Sequence, residues 1–274
     1  MRCKSGWSWR LGVALLVVLG GGSAAAHDMW IEPVAYMPEP GKVVGLRLRV
    51  GQDFLGDPIV RDPSLFEKFI IADKNGVKNV VGRELADPAG LIRPVDDGLL
   101  VIGYQSKPNP VVLPPAKFNQ YLSEEGLDAV ARLRAKRGDT EKEARELFVR
   151  CAKSLMLVGA PAATQRDRTL GLPLELTSEQ NPYLMAAGGE LAFTLVYQNQ
   201  PLPGALVVAV SQRHPSARIS ARTDKSGRVR LRLGEAGPWL IKGVHMIPAP
   251  AGSDAEWASF WASLTFELPA VASK

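Results

Sequence analysis

Proline punctuation limits what this chain can fold into more than any other feature of its sequence. Prolines at 58, 63, 88, 94, 108, 110, 114 and 115 cut the apolar runs between residues 41 and 113 into short pieces. A proline donates no ladder hydrogen bond and is confined to strand edges, strand starts and bulges. Short runs joined by long loops suit a sandwich of antiparallel strands better than a parallel sheet. Within those limits the strand period is visible: Val44, Leu46, Leu48 and Val50 face one way, Arg47 and Arg49 the other. Phe69-Ile70-Ile71 runs into Asp73-Lys74-Asn75-Gly76, a hairpin signal, and Val77 to Val81 return. Leu99 to Tyr104 is a further apolar run.

The period then changes to that of a helix. Ser123 is placed to cap a first helix with Glu124 and Glu125 in its opening turn and Leu127, Val130 and Ala131 inside. Thr140 and Glu143 read as the capping box of a second. Along it Ala144, Leu147, Phe148, Cys151, Ala152 and Leu155 recur at three and four residues. This predicts a helical segment over 123–158 that packs on its own sheet, ended by Gly159 and Pro161. Residues 160–189, with Pro173, Asn181-Pro182 and Gly188-Gly189, read as a linker.

From Glu190 strands return at sandwich spacing: Leu191 to Tyr197, Ala205 to Val210, Arg218 to Thr223, Arg228 to Leu233, Trp239 to Met246 and Ser263 to Leu268. The expected fold is mainly β with a small helical insertion. It comprises two β-sandwich-like modules, residues 27–159 and an immunoglobulin-like module at 190–274.

The N-terminus reads as a secretory signal peptide over residues 1–26. Arg2, Lys4 and Arg10 precede the apolar run Leu11 to Leu19, and Ala24-Ala25-Ala26 offers a cleavage site. A periplasmic or secreted location follows. The apolar run is shorter than the roughly 20 residues that cross a bilayer, so no transmembrane segment is expected in the mature chain. Removing Arg2, Lys4 and Arg10 from 33 basic residues leaves 30 against 28 acidic ones. That near balance argues against a nucleic-acid partner. Cys3 leaves with the signal, so Cys151 remains alone and no internal disulfide is expected.

Cleavage after Ala26 would make His27 the first residue, joining an imidazole and a free α-amine in one chelate. Both lose protons near neutral pH, and such nitrogen donors suit copper(II), nickel(II) and zinc. Only two other histidines exist, His214 and His245. His245 ends the Trp239 to Met246 strand and is the expected partner of His27. Asp28, Asp254 and Glu256 are candidate oxygen ligands, and His214 is a further candidate from a polar loop. Trp30, Trp257 and Trp261 are candidate aromatic contacts for a glycan. No Cys-x-x-Cys, His-Glu-x-x-His, Walker A, Gly-x-Gly-x-x-Gly or Gly-x-Ser-x-Gly motif occurs, so catalysis is not signalled.

Several of these stretches together resemble a known family. They are His27-Asp28-Met29-Trp30-Ile31, Arg145 to Leu155, Asn181-Pro182, Thr223-Asp224-Lys225-Ser226-Gly227-Arg228, Trp239 to Met246 and Glu256 to Phe266. The pattern is similar to exported bacterial proteins labelled NikM-like, nickel-uptake substrate-specific components. The Asp-x-x-Gly-Arg hairpin is also shared with carboxypeptidase-regulatory-like and Cna-B-like sandwiches. The resemblance implies handling of nickel or cobalt for a membrane metal transporter. It carries over His27, Asp28 and Trp30 from an opening His-Asp-x-Trp, and Val244, His245 and Met246 from a Val-His-Met. Some family members have a histidine after the first-strand glycine, where this chain has Gly51-Gln52. The alternatives are a metal-free envelope module binding a protein or glycan, and a copper histidine-brace oxidase.

Overall fold

The computed structural model describes residues 27–270; the signal peptide expected over residues 1–26 lies outside them. Seventeen strands and two α-helices follow in order. The strands before the helices are β1 (Asp28–Pro33), β2 (Val44–Gln52), β3 (Leu55–Ile59), β4 (Phe66–Asp73), β5 (Gly76–Asn79), β6 (Gly90–Ile92), β7 (Gly98–Ser106) and β8 (Asn109–Leu113). Helices α1 (Pro115–Glu124) and α2 (Asp128–Arg137) come next, then β9 (Ala144–Val158) and β10 (Leu174–Ser178). The C-terminal strands are β11 (Glu190–Tyr197), β12 (Gln200–Pro201), β13 (Leu206–Ser211), β14 (Ile219–Arg222), β15 (Arg228–Arg232), β16 (Gly237–Pro248) and β17 (Trp257–Leu268). The chain is mainly β with two helices, as its punctuation requires.

Three sheets form three layers. The middle one has nine strands in the order β14-β13-β16-β17-β9-β7-β4-β5, with β8 also paired to β9. On one face lies the sheet of β1, β2, β3 and β6, on the other that of β10, β11, β12 and β15. The halves of the chain meet inside the middle sheet, where β9 and β17 pair in parallel from Glu146–Trp257 to Ser154–Thr265. The middle sheet therefore runs without a break from the N-terminal to the C-terminal strands.

Strand β9 corrects the helix expected over 140–158. Its residues are buried on both faces: Ala152, Met156 and Val158 pack toward the N-terminal sheet, Val149, Cys151, Leu155 and Leu157 toward the C-terminal one. A strand covered on both sides loses its alternation, and apolar residues at every position include some at three and four apart. The expected capping box at Thr140 and Glu143 lies instead in the turn region before β9. The first helix is displaced as well. It starts at Pro115, a favourable first-turn residue, and Ser123 sits in its last turn rather than at its cap. Gly126, at φ +64°, turns the chain into α2, and Gly138 ends α2 in the left-handed conformation.

The segment expected as a linker is built into the core. It contributes β10, and Tyr183 donates a hydrogen bond to the Leu155 carbonyl at 2.8 Å. Strand β1, not anticipated from sequence, lies across β17, where Ser263 and Thr265 hydroxyls donate to the Met29 and Ile31 carbonyls at 2.7 and 2.6 Å. This places His27 and Asp28 against the middle sheet. Among the described residues no helix is long and apolar enough to cross a membrane.

Candidate functional site

The N-terminal end of β1 meets a polar cluster beneath α1. His27 is half-buried and lines a cavity of about 10 Å³ with Val111, Leu113, Glu146, Phe148, Arg150 and Trp261. That is room for about one water or ion. Glu146 comes from β9 and is 2 % exposed. Its Oε1 accepts from the Ser259 hydroxyl and from the Tyr121 hydroxyl at 3.2 Å. The Trp261 indole donates to the Ser259 hydroxyl at 3.0 Å and stacks on Tyr121, fixing this side of the carboxylate. Glu146 Oε2 is buried and has no hydrogen-bond partner, and neither has Arg150 Nη1. Burial raises the Glu146 pKa against the opposing pull of Ser259 and Tyr121. A lone buried carboxylate oxygen is costly unless something cationic or a donor reaches it.

Asp28, the neighbour of His27, is occupied. Lys242 of β16 donates to Asp28 Oδ1 at 2.9 Å and to Glu125 Oε1 at 2.7 Å, with all three side chains at most 9 % exposed. Burial pushes Lys242 down, but Asp28 and Glu125 together outweigh it and the net shift is upward. Arg150 is lowered chiefly by burial, with Asp28 opposing. The region thus holds three carboxylates, Asp28, Glu125 and Glu146, against two cations, Lys242 and Arg150. One negative charge is left over, which favours a further cation or a proton.

The other sequence candidates do not converge on this point. His245 pairs in register with Phe260, and its ring lies 4.6 Å from that of Tyr197 on the C-terminal sheet. Val244 pairs with Trp261, which lines the His27 cavity. Successive strand residues face opposite sides, so His245 and His27 are separated by the sheet. Burial alone lowers the His245 pKa. His214 is exposed and bonded to Glu235 at 2.8 Å. Glu256 is held by Arg145 at 2.6 Å, and Asp254 is exposed on the loop before β17. Trp30, Trp257 and Trp261 are 1, 1 and 7 % exposed, so their rings are spent on packing rather than offered to a glycan.

Among the described residues no group of three or more His, Cys, Asp and Glu side chains is placed to hold a metal ion. At the His27 cavity two such side chains meet, and a third donor would have to be the terminal amine. Glu146 escaped sequence reasoning because it lay inside a stretch read as helix. Once β9 is a strand, its even-numbered positions share the face that receives β1. A roomier cavity of about 640 Å³ lies between the β4–β5 hairpin and residues 164–168 and shares no lining residue with this site. Its Lys74 and Lys78 are paired to Asp96 and Asp73.

No curated protein matches the chain. Solved structures to which it is similar include the D0–D1 domain of intimin, at 9 % identity and a TM-score of 0.21 over 87 % of this chain and 97 % of that one. Murine CEACAM1b is similar at 12 % identity and a TM-score of 0.21, over 89 % of this chain and all of the other. A domain family described as a domain of unknown function, DUF4198, matches residues 24–247, a range that holds every residue lining the His27 cavity except Trp261 and every strand before β17 but for the last residue of β16. The chain belongs to the DUF4198 family.

Proposed function

We propose that this is an exported metal-binding protein that holds a divalent transition-metal ion between the mature N-terminal His27 and Glu146 and presents it to a membrane transporter. The observation that carries this reading is the buried, unpartnered Oε2 of Glu146 in the cavity His27 lines. Cleavage after Ala26 would supply the α-amine beside the imidazole, giving two nitrogens and one carboxylate oxygen. Such a set suits copper(II), nickel(II) and zinc, and the resemblance to NikM-like proteins favours nickel or cobalt as cargo. Three donors leave coordination positions open for water or an acceptor's ligand, which suits transfer rather than storage. The surplus negative charge around Asp28, Glu125 and Glu146 adds attraction, and Arg150 moderates it. In this reading Glu146 takes the role the sequence assigned to His245.

Arg150 also favours a second reading, in which the α-ammonium of His27 alone pairs with Glu146 and the protein is a metal-free envelope module. The test begins with the mass of the mature N-terminus, followed by calorimetric titration with nickel, cobalt, copper and zinc. His27→Ala and Glu146→Gln should each weaken binding by about tenfold or more, while His245→Ala leaves it unchanged. Native protein that binds no better than His27→Ala would sink the metal reading and leave the module. Copper-dependent oxygen consumption would point instead to the oxidase.

A further inference from the structure

Away from the His27 site, on the other face of β9, the chain buries a second set of ionisable groups. Lys153 Nζ lies 2.9 Å from Asp167 Oδ1 and 3.2 Å from Glu175 Oε1, with side chains 1, 0 and 0 % exposed. The surroundings are the apolar core of Cys151, Leu155, Leu172, Leu174 and Leu176. We propose that Lys153 and Asp167 are joined by an amide bond that forms within the folded chain, with Glu175 as the proton acceptor.

The geometry fixes each participant. Asp167 Oδ1 accepts from the Arg168 amide at 2.7 Å and Oδ2 from the Ser178 amide at 2.9 Å. Glu175 accepts from the Leu170 and Leu172 amides at 2.6 and 3.1 Å. The Arg168 carbonyl receives Lys153 Nζ at 2.9 Å and aims it beside the Asp167 carboxyl. Backbone donors on the attacked carboxyl stabilise the oxyanion that develops there. Groups held in contact react with effective molarities of roughly 10⁵–10⁸ M.

Charge favours the same step. One ammonium and two carboxylates leave a surplus negative charge in a dry core, so the neutral state retains one extra proton. Burial raises the Asp167 pKa against the opposing effect of Lys153, which favours the carboxylic acid form at the carbon to be attacked. Glu175 then takes a proton from the Lys153 ammonium, and the free Nζ lone pair attacks Asp167 Cγ. The C–N bond forms, the C–OH bond breaks, and hydroxyl and the second Nζ proton leave as water. The products are a neutral amide, one water and a protonated Glu175. No oxidant or co-reactant is needed. Exclusion of water opposes the reverse hydrolysis.

The test is tandem mass spectrometry of a protease digest of the purified full-length protein, denatured and reduced. The expected result is a branched peptide joining Lys153 to Asp167, one water lighter than its two linear parts, in essentially all molecules. Glu175→Gln should return the two linear peptides. The Lys242, Asp28 and Glu125 group repeats the residue types beside charged Arg150, and serves as an internal comparison. Linear Lys153 and Asp167 peptides from the native protein would overturn the proposal, as would a branch at Lys242 alone. If Glu175→Gln does not fold, the native digest still decides.

Discussion

His27 and His245 lie on opposite faces of the middle sheet, because His245 stands opposite Phe260 while its neighbour Val244 stands opposite Trp261. One residue of register decides which chemistry each histidine meets. His27 reaches the charged floor of Glu146 and Arg150, and His245 packs on the Tyr197 ring.

The packing of His245 makes stability depend on pH in a defined window. Its folded pKa is below the usual 6.5, through burial, so the unfolded chain binds more protons between the two values. The contribution is therefore complete above 6.5 and is lost as pH falls through the folded value. Thermal melts between about pH 7 and about pH 5 should show the native protein losing stability relative to His245→Phe. A gap that does not change with pH would count against this.

The Lys242 group is an exclusively internal pairing of β16 with β1 and the end of α1. Removing Lys242 leaves two buried carboxylates without their cation, a change that costs about 3–5 kcal/mol. Urea denaturation of Lys242→Ala should show a loss of that order. A loss under about 1 kcal/mol would mean that water reaches the pair far more freely than its 8–9 % exposure suggests.

Cys151 is 1 % exposed, and burial pushes its thiol up to about 12. Thiolate is the reactive form, so the native protein should resist an aromatic disulfide reagent at neutral pH by about a hundredfold or more relative to the denatured chain. Rapid stoichiometric labelling of native protein would show that the core around β9 opens readily.

Much of the architecture was legible because turn chemistry is local. The hairpin at Asp73-Lys74-Asn75-Gly76 and the alternation of Val44, Leu46 and Leu48 follow from neighbours in sequence, and both are present. Strand β9 was not legible, because layers distant in sequence cover both its faces and erase its period. Burial of Lys153 at the centre of that strand makes sense only once Asp167 and Glu175 are in place. The site divided in the same way. His27 stands out in the sequence as the residue after an expected cleavage site, whereas Glu146 becomes visible only through the pairing of β9 with β17, which sets it beside Ser259. The expected partnership with His245 follows from the scarcity of histidines and the Val-His-Met resemblance, neither of which carries the one-residue alternation that puts the pair on opposite faces.

A metal ion held, as proposed, by the free terminal amine and ring of His27 together with Glu146 would make affinity depend on which residue comes first. The most direct measurement compares the processed protein with one carrying a single alanine ahead of His27, by titration with nickel and copper. The extension keeps every side chain and removes only the terminal chelate. The proposed chelate requires the extended protein to bind at least about tenfold more weakly, with unchanged thermal stability in the absence of metal. Equal affinity in the two proteins would contradict it.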